Sequence, residues 1–188
     1  MTSSDSERAL RVGFAPLSSP DARVLVLGSL PGELSLSRGE YYAQPRNAFW
    51  RIMSQLFGFP ADGAYADRVA ALLANRVALW DVCAAAKRVG SLDSAIASPV
   101  ANEFAAFLDA HPKLDLIAFN GAKAADLYRR LVTARLPEGH VGIEQRVLPS
   151  TSPALAAMTY EQKLVRWEAV SRAARGLHSE DSDDRSNA

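Results

Sequence analysis

The chain is poor in the residues that build disulfides and metal sites. A single cysteine, Cys83, among 188 residues excludes an internal disulfide and a four-thiolate zinc or iron–sulfur centre. The histidines, His111, His140 and His178, show no metal-ligand spacing, so neither a metal nor any other cofactor is expected. No apolar run reaches the ~18 residues that a membrane span needs. The first residues also lack the basic and apolar regions of a signal peptide, so a soluble cytoplasmic protein is expected. Net charge is missing too, since 21 Lys and Arg balance 21 Asp and Glu. That balance hides an asymmetry: the tail from Leu177 and the first eight residues are acidic, which leaves the body mildly basic. A mild basic excess is compatible with a phosphate-bearing partner and is equally common in ordinary domains. The arginines, Arg46, Arg129, Arg130 and Arg135 among them, form no single basic block.

What the chain does contain is apolar material, 48% of its residues, enough for one domain with a true core. That domain is expected over 9–176. Residues 1–8 and 177–188 are small, polar and acidic, and are expected to be disordered. Val24–Leu27, Val77–Trp80, Leu114–Phe119 and Gln145–Leu148 read as buried strands, being short, apolar and bounded by turn residues. Helical patterns separate them: 47–57 with Asn47 as cap, 64–74, a stretch opening at Ser98-Pro99 and running into "VANEFAAFLDA", 121–134, and 159–175 behind a Thr159/Gln162 capping box. Strands alternating with helices predict an α/β domain whose sheet is mainly parallel and four-stranded, because helices supply the crossovers that parallel strands need.

In such a sheet the carboxyl ends of the strands share one crevice, where ligands bind. The segments just after the four strands are "GSLPGE", "DVC", "NGAK" and "PSTSPA", the most polar and turn-rich junctions of the chain. Gly28, Pro31 and Gly32 permit a tight turn and a close backbone approach to a ligand. None of the phosphate-loop, dinucleotide or nucleophile-elbow patterns is present. "PSTSPA", from Ser150, Thr151 and Ser152 to Pro153 and Ala154, offers hydroxyls on a stiff turn, suited to phosphate oxygens or to an ordinary turn. Asn120 reads as an amide for a base edge, as a helix cap, or as both. Lys123 suits a backbone phosphate or a solvated surface. Tyr41, Tyr42 and Phe49 are candidates for stacking on an extruded base. Trp50, Trp80 and Trp167 lie on apolar faces and belong to the core. Asp81 is either a site acid or, more simply, a capping or structural aspartate.

Four segments, "LVLGSLPGELSLSRGEYYAQPRNAFWRIM", "ALWDVCAAAKRVGSLDSAI", "IAFNGAKAADLY" and "LPSTSPA", occur in that order and together resemble the uracil-DNA glycosylase superfamily, specifically its hypoxanthine-DNA (deoxyinosine) branch. The resemblance implies a three-layer α/β/α sandwich around a short parallel sheet. In uracil-excising relatives the first motif carries an Asp or Asn that positions water, where this chain has Leu30. The second motif of those relatives begins with His or Asn, where this chain runs Ser150-Thr151-Ser152. The deoxyinosine branch shares both departures and carries an asparagine in its "PxNxFW" segment, which matches Asn47. This chain has Gln44 where that pattern often has histidine.

The resemblance therefore implies a monofunctional DNA glycosylase of base excision repair. It would bind DNA containing deaminated bases, flip the base from the stack and hydrolyse the glycosidic bond, with hypoxanthine the expected substrate and Asn47 orienting water. Gly28, Ser29, Tyr42, Phe49 and Asn120 are expected at the base. Ser150 to Leu155 and Lys123 are expected at the DNA backbone or in the gap left by the base, Leu155 being preferred to Ala154 as the wedge. The chain is expected to act as a monomer without a membrane or metal partner. Excision of uracil or xanthine stays open, as does a damaged-DNA-binding module that has lost its chemistry.

Overall fold

The computed structural model describes residues 9–177, apart from Val141 and Ala156. The terminal segments expected to lie outside the domain fall outside the described residues, except for Leu177. The elements in chain order are β1 (Leu10–Val12), β2 (Val24–Gly28), α1 (Glu33–Arg38), α2 (Phe49–Phe57), α3 (Tyr65–Ala74), β3 (Val77–Asp81), β4 (Cys83–Lys87), β5 (Ala97–Ala101), α4 (Phe104–Asp109), β6 (Leu116–Asn120), α5 (Ala122–Leu131), β7 (Glu144–Leu148) and α6 (Tyr160–Ala174).

Four of these strands form the expected parallel sheet, in the order β3-β2-β6-β7. β2, β3 and β6 are buried along their whole length, as apolar strands must be when helices cover both faces of a parallel sheet. Successive side chains go to opposite faces. Val24, Val26, Val77 and Leu79 join a core with Phe49, Ile52, Met53, Leu72 and Trp167, from α2, α3 and α6. Leu25, Leu27, Ala78 and Trp80 join a second core with Phe104, Phe107, Leu127 and Tyr128, from α4 and α5. The two cores with the sheet between them make the three layers.

The structure corrects the sequence reading in four places. Ser98-Pro99 does not open a helix. It lies inside β5, part of a second, antiparallel sheet of order β1-β4-β5 that the sequence did not announce. Proline is tolerated there because β5 is an edge strand and its pairing with β4 is irregular, with Ser98 at φ 47°. The helix beyond it starts only at Phe104. Glu33–Arg38, for which no element was expected, forms α1. β7 is not a buried strand: it is the sheet edge and only Leu148 is buried. The last helical stretch before β7 is shorter than expected, α5 ending at Leu131 and a 3-10 turn following at Thr133–Arg135. The Thr159/Gln162 capping box on α6 is formed as expected.

Candidate active site

Register brings the strand ends together. Gly28 pairs with Asp81 across β2 and β3, and Asn120 pairs with Leu148 across β6 and β7. Beyond these ends opens a cleft of about 670 Å³, within the size range of small-molecule sites. Gly28, Ser29, Tyr42, Asn47, Asn120 and the whole run Ser150 to Leu155 line it, so nearly every residue expected at the site from sequence meets in one place. Two do not. Phe49 is fully buried and stacks behind Tyr42, ring centroids 4.0 Å apart, so it supports that ring and does not face the cleft. Lys123, in the first turn of α5, is absent from the lining.

Asn47 holds its place through its own side chain. Its Oδ1 accepts the Phe49 N–H at 3.0 Å, satisfying an otherwise unpaired donor at the start of α2. Its Nδ2 has no partner among the described residues, and an amide oxygen retains a second lone pair. Asn47 can therefore both donate to and accept from a water in the cleft. The Ala48 N–H donates to Thr151 O at 3.0 Å, which ties this turn to the "PSTSPA" segment.

Asn120 and Thr151 exchange two hydrogen bonds. Asn120 Nδ2 donates to Thr151 Oγ1 and the Thr151 N–H donates to Asn120 Oδ1, both at 2.8 Å. Of the two roles read from sequence, the amide is thus committed first to holding the loop, with one N–H of Nδ2 still available. That N–H lies beside the hydroxyl of Tyr42, which is buried without a formed hydrogen bond. Burial raises the Tyr42 phenol far above its ordinary value, as does the charge of Asp81. Tyr42 keeps a positive φ of 55°, a conformation costly for a bulky residue and characteristic of ligand sites.

The other side of the cleft is ionic. Asp81 is only 4% exposed, and its Oδ1 stands 2.3 Å from where a Cβ on residue 28 would lie, so any side chain there would have to displace the carboxyl. Its Oδ2 is buried with no partner among the described residues. Burial pushes the Asp81 carboxyl up to about 7, helped by the charge of Asp93 and opposed by Arg88. Ser29 Oγ donates to Asp93 Oδ1, so the Ser29 hydroxyl is already engaged. Arg88 is 1% exposed; its guanidinium donates to Leu30 O at 3.2 Å and also to Pro31 O, fixing the "GSLPGE" turn from behind. Leu30 lines the cleft and packs into the core from there, so an apolar side chain occupies the position where relatives place a water-binding residue.

Sequence reasoning gave no role to Arg88, Ser91, Leu92 or Asp93, three of which line the cleft. It weighed Asp81 chiefly as structural. The available signal for Asp81 was its place at the end of an apolar run, level with Gly28. Among the described residues no helix is long and apolar enough to cross a membrane, and no cluster of three or more His, Cys, Asp or Glu could hold a metal.

Comparison with known proteins agrees with this arrangement. The family model for the uracil DNA glycosylase superfamily matches residues 15–172. A hypoxanthine DNA glycosylase of Methanosarcina acetivorans is 37% identical over 164 residues, covering 87% of this chain and 99% of the relative. One from Methanosarcina barkeri is 36% identical over 143 residues, covering 76% and 86%. The solution NMR structure of a candidate uracil DNA glycosylase from Methanosarcina acetivorans superposes with a TM-score of 0.75 at 36% identity, over 89% of this chain and 99% of that one. The sheet order, the strand-end cleft and these matches make the chain a member of the uracil-DNA glycosylase superfamily.

Proposed function

We propose that this DNA glycosylase is monofunctional and removes hypoxanthine from deoxyinosine in DNA, holding the flipped nucleotide in the cleft and admitting one water to the sugar. The observation that carries the reading is the convergence of Asn47, Tyr42 and the "PSTSPA" loop on that cleft, with Leu30 in place of a polar group. The hypoxanthine activity named for both Methanosarcina relatives supports the choice of base.

Glycosidic cleavage builds positive charge on the sugar, so positioning and electrostatic stabilisation supply much of the catalysis. Asn47 is the water-orienting residue in this scheme. Its Oδ1 is pinned by the Phe49 N–H, which fixes the plane of the amide before substrate arrives. Tyr42, backed by Phe49, offers a ring face to the base. The Ser150–Leu155 run suits phosphate contacts, with Leu155 filling the vacated stack. A mispaired deaminated base is the easier one to extrude, which gives selectivity before chemistry. In this reading the protein acts as a monomer.

Duplex and single-stranded oligonucleotides bearing hypoxanthine, uracil or xanthine, scored for abasic sites, test the reading. Wild type is expected to release hypoxanthine, and Asn47→Ala to lose ~10²–10³-fold in rate, the usual cost of deleting one preorganised polar group. Uracil release that survives Asn47→Ala, without hypoxanthine release, would overturn both substrate and catalyst. Binding without any abasic product would leave only a damaged-DNA-binding module.

A further inference from the structure

Two carboxylates line the cleft, and they are not equivalent. Asp93 accepts the Ser29 hydroxyl. Asp81 sits at the end of β3 against Gly28, with one oxygen filling the space of the missing side chain and the other buried and unpartnered. A carboxylate with an unmade hydrogen bond in so dry a place is costly unless it carries a proton or meets a ligand that supplies the partner. The asparagine placed at the water has no proton to give to a departing base.

We propose that Asp81 is the catalytic acid, its carboxyl giving a proton to an acceptor ring nitrogen of the flipped purine as the glycosidic bond breaks. The proposal rests on the hypoxanthine reading above. As the bond from the sugar C1′ to the base N9 breaks, its electron pair stays with the base. The Asp81 proton moves to N7 or N3, so the base leaves neutral and a carboxylate remains. Water adds its oxygen to C1′, and the proton it releases returns to Asp81 through solvent. The products are free base and an abasic sugar, with no other reagent consumed.

The surroundings of Asp81 suit this role. Burial first, and then the Asp93 charge, favour the protonated form and Arg88 restrains it, leaving the group poised near neutrality where a general acid is most effective. The Tyr41 and Tyr42 hydroxyls face the same charge and are raised well above the working range. The Cys83 thiol, buried close by, is pushed up to about 12. None of these three titrates with Asp81.

Single-turnover excision from hypoxanthine and uracil duplexes between pH 5.5 and 8.5, for wild type and Asp81→Asn, tests the proposal. Wild-type hypoxanthine release is expected to fall tenfold per pH unit once pH exceeds the Asp81 pKa. Asp81→Asn keeps the shape and a donor but transfers no proton, so it is expected to lose ~10²–10⁴-fold and to show a flat profile. Uracil, whose departing charge spreads onto carbonyl oxygens, is expected to lose less. An Asp81→Asn rate within threefold of wild type, or an unchanged alkaline limb, overturns the inference while leaving the substrate reading intact. A flat wild-type profile overturns it whether or not the variant folds. Wild type that releases no hypoxanthine at any pH removes the substrate reading and this inference together.

Discussion

The two walls of the cleft are built from different chemistry. The wall beyond β2 and β3 is ionic: Asp81 and Asp93 face one another's field, and a buried guanidinium from Arg88 clamps two carbonyls of the "GSLPGE" turn. The wall beyond β6 and β7 is neutral: Asn120 and Thr151 exchange two hydrogen bonds, and Ser150 packs against Gly121. Both walls are tied by hydrogen bonds, but only one can change charge between pH 5 and 8. Proton concentration therefore separates their contributions, acting on the first and leaving the second alone.

The largest effect expected is on stability at Asp81. Its carboxyl titrates near 3.8 when unfolded and near 7 when folded. Below the lower value both states are protonated and nothing is lost. Between the two values the unfolded state is ionised while the folded state stays neutral, so stability falls as pH rises, and above 7 the loss is complete. Asp81→Asn is expected to stabilise the fold by on the order of 4 kcal/mol at pH 8 and by much less at pH 5. Urea unfolding at the two pH values measures this, and an equal effect at both would remove the titrating wall from the account. Stability gained with activity lost is the signature of a site held in a costly state.

Arg88→Met comes next. It leaves two carbonyls short of a donor, for a loss of about 3 kcal/mol in urea unfolding. Because Arg88 holds the Asp81 carboxyl down, its removal is also expected to shift the alkaline limb of hypoxanthine excision to higher pH. On the neutral wall, Asn120→Ala strips the buried Thr151 N–H and hydroxyl of their partner, for about 2 kcal/mol. The same value is expected at pH 6 and pH 8, and a pH-dependent difference would break the contrast. Tyr42→Phe is the smallest. Its hydroxyl makes no hydrogen bond, so thermal unfolding is expected to change by no more than about 1 kcal/mol.

The neutral wall was largely legible in the sequence, the ionic wall much less so. Apolar runs ending in Gly28, Asn120 and Leu148 announced the strands, and parallel topology put the loops at their carboxyl ends along one edge. The "PSTSPA" hydroxyls were visible as a motif. The antiparallel sheet was not, because β4 is "CAAAK", whose alanines favour helix, and Ser98-Pro99 mimics a helix start. Its strand character comes from pairing with distant residues, Ala85 with both Val12 and Val100. Asp81 shows the same limit. An aspartate at a strand end is ordinary until burial, the neighbouring Asp93 and the gap at Gly28 are known, and all three are tertiary facts. Asn47 lay between: the N-cap of α2 is Ala48 and not Asn47 as expected, yet the bond Asn47 Oδ1 accepts from Phe49 N–H is local and readable, whereas its opening onto the cleft depends on Thr151, far along the chain.

The tryptophans assigned to the core give the molecule built-in optical reporters. Trp50 Nε1 donates to Tyr41 O and Trp167 Nε1 donates to Pro149 O, both at 2.9 Å, while Trp80 Nε1 donates to Phe14 O at 3.1 Å. One indole is wired to the aromatic segment of the cleft, one to the start of the "PSTSPA" loop, and one to the segment that precedes β2. Indole emission responds to the field and hydrogen bonding at its nitrogen, so each ring can report a change in its own segment without an attached label.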